Sequence, residues 1–178
     1  HARPEVTLKL ALSLDGCIAL TNGESQWITG PEARAHTHAM RAKADAILVG
    51  GGTLRADNPR LDVRLPGLAE RSPQRWVLTH GKAPEGWSAL PSPDAITGMD
   101  GVQYLFVEGG AQAATAFLAA GLVDRLLIYR APILVGGRSA LGDFGLTTLA
   151  GAHGKWRMSE RRQLGSDTLE VYEASPCS

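Results

Sequence analysis

Tyr104-Leu105-Phe106-Val107 runs without a break into Glu108-Gly109-Gly110, and Ala111 to Ala120 then reads as a helix that Gly121 ends. A short apolar run closed by glycines fits a strand buried on both faces, as in a parallel sheet. A strand that turns through two glycines into a helix lets backbone approach a ligand closely. The helix start adds unpaired N–H groups and partial positive charge, which suits a pyrophosphate. The Gly-Gly pair alone serves a tight ligand-free turn equally well. Glu108 tips the balance, because an acid at the carboxyl end of a central strand sits where α/β folds bind ligands.

The rest of the chain repeats this alternation. Val6 to Leu12 places Val6, Leu8, Leu10 and Leu12 on one face and Thr7, Lys9 and Ala11 on the other, which predicts a strand. Asp15-Gly16 marks a turn, Cys17-Ile18-Ala19-Leu20 resumes an apolar run, and Asn22-Gly23 breaks it. Thr29-Gly30-Pro31 predicts a helix start running to about Lys43, with proline at a position that needs no intrahelical N–H. Ala46 to Val49, Arg75 to Thr79 and Leu126 to Tyr129 predict further strands, and the alternating Leu169 to Glu173 closes the sheet. Gly136-Gly137 marks a turn. Residues 65–73 and 81–101 read as surface loops. Strands alternating with helices define an α/β fold with a mainly parallel sheet. Its 178 residues suit one domain, without an internal repeat.

Composition removes several function classes. Lys+Arg and Asp+Glu both number 18, giving a formal net charge of zero. A bulk electrostatic partner such as nucleic acid is not expected, and any bound anion must be held by local geometry. No apolar run reaches the roughly 18 residues of a membrane helix. Two scattered cysteines, Cys17 and Cys177, suit a cytoplasmic setting better than a stapled secreted fold. His1-Ala2-Arg3-Pro4 reads as a cut end of a longer protein.

A second glycine-rich strand end, Val49-Gly50-Gly51-Gly52-Thr53, is neither a P-loop nor a standard dinucleotide fingerprint. Two such ends in one small sheet favour a nucleotide more than either alone. Arg34, His38 and Arg41 share one helix face. Such a face is usually solvated, but nearby Arg55, Arg60 and Arg64 favour a phosphate. His36 and His38 point to different faces, and Cys-x-x-Cys is absent, so no zinc site is expected. A Gly-x-Ser-x-Gly elbow is also absent.

The ordered set of motifs is similar to the reductase domain of the bifunctional riboflavin-biosynthesis deaminase-reductase. The set comprises Leu8-Lys9 with Ser13-Leu14-Asp15-Gly16, then Gly23 to Thr29, then Leu48-Val49-Gly50 with Thr53, Asp57, Pro59, Leu61 and Arg64. Val107 to Gly110, Leu122-Val123-Asp124 and Ala131-Pro132 with Gly136-Gly137 complete it. The resemblance implies a dihydrofolate-reductase-like fold: a central, mainly parallel, twisted sheet flanked by helices, spanning 1–178 as one reductase domain with its core at about 4–174. It implies NADPH as cofactor and hydride transfer to ribose C1′ of 5-amino-6-(5-phosphoribosylamino)uracil, in the ring-opened imine form.

By matching position, Ala11, Trp27, Thr53 and Asp57 would line the cofactor, and Gly109, Gly110, Ala111 and Gln112 would lead the segment cradling its phosphates. His80 would meet a 2′-phosphate, with Lys82 beside it. Ser25, Arg41, Leu61 and Arg64 would hold the substrate, the arginines on its phosphate. Lys9 and Glu108 would face the pyrimidine and ribose, and Lys9 and Asp57 are candidate proton donors. The resemblance also implies a homodimer and, in the longer protein, a fused zinc deaminase domain. The stretch from Thr79 to Val102 is shorter than the family pattern. Rival readings are a reductase of dihydrofolate, a non-catalytic nucleotide-binding module, and a degenerate dimerisation domain.

Overall fold

The computed structural model describes residues 3–176; Cys177 lies outside them. Eight strands form the main sheet in the order β5-β4-β3-β6-β1-β7-β10-β9. They are β1 (Glu5–Leu12), β3 (Ala46–Gly50), β4 (Gln74–Leu78), β5 (Ser88–Leu90), β6 (Tyr104–Val107), β7 (Arg125–Arg130), β9 (Trp156–Leu164) and β10 (Asp167–Ala174). The six strands from β5 to β7 run parallel. β10 and β9 add an antiparallel hairpin at one edge. Strands β2 (Cys17–Ala19) and β8 (Arg138–Ser139) form a separate small ribbon. The expected mainly parallel α/β architecture is the one observed.

The helices are α1 (Pro31–Arg41), α2 (Gly51–Asp57) and α3 (Ala111–Ala119). The two faces of the sheet carry separate cores. Val6, Leu8, Leu48, Leu105 and Val107 pack with Ala114 and Phe117 of α3 on one face. Ile47, Val49, Phe106, Leu127 and Tyr129 pack with Ala33 of α1 on the other. Strand periodicity therefore places Lys9, Ala11 and Glu108 on the α1 face. β6 and β1 lie at the middle of the sheet, with β3 on the other side of β6.

Three expectations need correction. Gly50-Gly51-Gly52, read only as a glycine-rich strand end, also carries the start of α2 at Gly51. Residues 81–101, read as loop throughout, contain β5 and a 3₁₀ turn at Pro93–Gly98. Helix α1 stops at Arg41, short of Lys43. Strand β9 was not foreseen at all: its side chains are mostly exposed and charged, so apolar alternation is missing, and pairing with β10 defines it instead.

Candidate active site

β1, the end of α1 and the carboxyl end of β6 bring three charged side chains together. Glu108 follows β6, and its own N–H donates to the Leu48 carbonyl at 2.9 Å, which fixes it against β3. Arg41, the last residue of α1, reaches across to it. Nε donates to Glu108 Oε1 at 2.6 Å and Nη2 to Oε2 at 2.8 Å, a bidentate pair. Both side chains are well buried, 11% and 6% exposed. Arg41 Nη1 also donates to the Asp62 carbonyl at 2.9 Å, tying the 58–64 loop to the pair.

Lys9 completes the cluster. Burial pushes its ammonium below the ordinary lysine range; Glu108 opposes that shift and Arg41 adds to it. Its Nζ stands 6.0 Å from the centroid of the Tyr129 ring, the outer reach of a cation–π contact. Tyr129 is fully buried, and burial holds its phenol well above the ordinary value. A lysine whose pKa is lowered by burial gives up a proton more readily than an exposed one.

Immediately beside this cluster the surface is made of backbone. The strand β6 turn places Gly109 against Val49, where a side-chain carbon would sit 2.8 Å from the Val49 Cβ. Gly110 has φ +68°, and a Cβ there would lie 2.6 Å from Thr53 Oγ1. Both glycines are thus required by packing. Gly110 is the N-cap of α3, and no side chain caps its first turn or supplies an acid there. The start of α2 lies alongside, since Gly50 is within ordinary contact of Ala113. The donors of Ala111, Gln112 and Ala113 and the hydroxyl of Thr53 therefore lie together at one end of the sheet.

Other expected site residues are distributed as follows. Ala11 lies on β1 two residues beyond Lys9, on the same face, paired with Tyr129. Ser25 and Trp27 occupy the segment before α1, where Trp27 is 64% exposed and Arg34 stacks 4.6 Å over its ring. Arg34 also donates to the Thr29 carbonyl at 2.6 Å. The expected Arg34-His38-Arg41 anion face is therefore divided: Arg34 serves Trp27, while His38 and Arg41 meet the Asp62 carbonyl. Arg41, expected on a phosphate, has its Nε and both terminal nitrogens engaged by protein acceptors. Leu61, expected against substrate, is a core residue at 5% exposure with φ +53°. Arg64 is exposed and lies 3.5 Å from Asp62 Oδ1. Asp57 is exposed at the end of α2, and His80 is exposed just past β4, apart from the charged cluster. Among the described residues no group of acids, histidines and cysteines could hold a metal. No helix there is long and apolar enough to cross a membrane.

Tyr129 and His36 escaped the sequence reading as site residues. Tyr129 Oη and His36 Nδ1 are 2.6 Å apart, and His36 Nε2 meets Arg162 Nη2 at 2.7 Å. The usable signal was the alternation of β7, which sets Tyr129 on the Lys9 face.

A mainly parallel sheet with a charged cluster and a glycine-led helix start at the carboxyl end of a central strand defines a candidate ligand-binding α/β domain. The chain belongs to the RibD C-terminal domain family, which matches residues 4–89 and 96–169. The riboflavin biosynthesis protein RibD of Mycobacterium tuberculosis is 37% identical over 93% of this chain and 53% of its own length. That of Corynebacterium ammoniagenes is 39% identical over 84% and 50%. Among solved structures, Acinetobacter baumannii RibD superposes with a TM-score of 0.85 at 26% identity, over 98% of this chain and 58% of its own. A Thermotoga maritima deaminase/5-amino-6-(5-phosphoribosylamino)uracil reductase shares the fold, with a TM-score of 0.84 at 24% identity, over 97% and 57%. The chain spans about half the length of the relatives it matches.

Proposed function

We propose that this chain is an NADPH-dependent reductase that converts the ribose of 5-amino-6-(5-phosphoribosylamino)uracil to a ribityl chain. The observation that carries the reading is the oriented Glu108 carboxylate, with Lys9 facing it, directly beside an uncapped, glycine-led helix. One half suits a polar heterocycle and the other a pyrophosphate. Family membership and the names of the relatives support the same pairing.

Reduced nicotinamide, when bound, supplies a hydride. The chain's own residues divide the remaining work. The backbone donors of Ala111 to Ala113 and the Thr53 hydroxyl hold the cofactor's phosphates, with His80 and Lys82 available to a 2′-phosphate. Glu108 accepts from pyrimidine amino and imino groups with the lone pairs Arg41 leaves free. Lys9 holds the proton taken up by the nitrogen on C1′ as that carbon gains the hydride, so the imine becomes an amine in one two-electron step. Arg41 orients Glu108, which leaves the exposed Arg64 as the better candidate for the substrate phosphate. Ser25, Trp27, Ala11 and Asp57 lie on segments that border the crevice. Positioning and exclusion of water account for catalysis here, without a nucleophile.

The same reading places the chain in a longer cytoplasmic protein with a zinc deaminase domain, assembled as a homodimer. The deciding assay is oxidation of NADPH with the phosphoribosylamino-pyrimidine as substrate, run beside NADH and beside dihydrofolate. Turnover on the pyrimidine alone is expected. Turnover on dihydrofolate alone would overturn the substrate assignment, and binding of NADPH without turnover on either would favour a regulatory module.

A further inference from the structure

The contacts of His36 form a directional chain. Arg162 has only donors, so His36 Nε2 must accept from it across 2.7 Å. A neutral imidazole accepting at Nε2 carries its proton on Nδ1 and donates it to Tyr129 Oη at 2.6 Å. Thr37, the next residue of α1, lies beside the Tyr129 hydroxyl as well. The Thr37 hydroxyl, buried, donates to the Ala33 carbonyl at 3.1 Å. The Arg162–His36–Tyr129 links tie β9, α1 and β7 together. Its far side is the Tyr129 ring under Lys9.

We infer that His36 is a positioning residue which, through the Tyr129 hydroxyl, clamps the ring beneath Lys9 and keeps water out of the floor of the pocket. A second proton on His36 would break the Arg162 contact. Its neighbours on balance keep it neutral: burial and the charges of Arg162 and Lys43 lower its pKa, against Glu160. Lys9 itself faces Glu108 and Arg41 from β6 and α1. With the ring clamped, burial is the main influence on the ammonium. With the ring released, water relieves it and Lys9 titrates closer to an ordinary lysine. The catalytic meaning of this shift rests on the reductase reading; the titration itself does not.

The test measures the titration of Lys9 directly, by trace acetylation of the intact protein with acetic anhydride across pH, read peptide by peptide. His36→Leu is expected to raise the Lys9 midpoint by about one pH unit, so that its acetylation near neutral pH slows about tenfold. His36→Asn, whose amide N–H stands near the place of Nδ1–H, should restore it. Arg162→Met, on the exposed edge strand β9, should shift it in the same direction and decides the matter if His36→Leu does not fold. An unmoved Lys9 midpoint in the folded variants would overturn the inference. A shifted midpoint in a protein that never oxidises NADPH would leave the inference standing and sink only the reductase reading.

Discussion

Two neighbouring regions at the carboxyl end of β6 bind by opposite means. On the α1 face the surface is made of side chains: Lys9, Arg41 and Glu108 converge from β1, α1 and β6, and their chemistry depends on charge. One residue along the chain, the surface becomes backbone: Gly109 and Gly110 have no room for side chains, and α3 begins uncapped. The first region is selective because a buried carboxylate and a partly buried ammonium demand matching partners. The second is generic, since N–H groups and a helix dipole accept many phosphate esters. The difference predicts that substitutions should split cleanly between substrate turnover and cofactor affinity.

The strongest test is Lys9→Met, which keeps length and removes the proton. Loss of a general acid typically costs 10² to 10⁴ in rate, and a loss of about that size is expected with NADPH affinity unchanged. The same variant should be more stable at neutral pH. Because the folded-state pKa of Lys9 lies below its unfolded value, the folded chain binds fewer protons between the two, and wild-type stability rises with pH across that window. Removing the charge relieves this cost. A gain on the order of 1 kcal/mol would raise Tm by about 2–4 °C in a calorimeter. A lower Tm would mean that the ammonium is a structural partner of Glu108.

Glu108→Gln sharpens the same half. It preserves shape but leaves the Arg41 guanidinium buried without an opposite charge, which costs about 2–3 kcal/mol. Turnover should fall about 100-fold in steady-state assays, while NADPH titration by fluorescence stays as in the parent. Unchanged turnover would remove Glu108 from the substrate site. Gly110→Ala probes the other half. The added carbon meets Thr53 Oγ1 and the backbone at φ +68° disfavours any L side chain. Cofactor affinity should weaken about tenfold with kcat at saturation nearly kept, and a kcat effect without an affinity effect would dissolve the division between the regions.

Sequence served the two regions unequally. The backbone region was legible because its signals are local: strand, two glycines, helix. Glu108 was legible as an acid at a strand end. The Arg41 partner was not, since the two residues lie 67 positions apart and one-dimensional charge patterning points Arg41 equally well at a phosphate. Arg34 illustrates the same limit, with Trp27 capturing a side chain whose helix face suggested an anion. In the fold, α2 was hidden by Gly51 and Gly52, poor helix formers that tertiary packing overrides. Strand β9 was hidden because an edge strand guards itself with charge. The left-handed backbone of Leu61 was not legible either, since no glycine or asparagine marks it.

The smallest effect is expected at Asp15, whose hydrogen bonds reach neither region, and it controls for nonspecific loosening. Asp15 ties the β1–β2 turn to the 133–137 loop. Its carboxylate accepts from Ser13 Oγ at 2.5 Å, Val135 N at 3.0 Å and Gly136 N at 2.6 Å. The Ser13 bond, then the two backbone donors, hold it far below the usual carboxylate range. A depressed folded-state pKa contributes stability that is fully present above the unfolded value of about 3.9 and is lost as pH falls through the folded one. Asp15→Asn supplies one acceptor and an NH₂ that faces another N–H, so Tm at neutral pH should drop modestly. The gap from the parent should narrow only as the pH falls well below about 4. Turnover at moderate temperature and NADPH affinity should change less than in Glu108→Gln or Gly110→Ala. If Asp15→Asn instead matched either of them, the β1–β2 turn would belong to that binding region, and the division would need a third member.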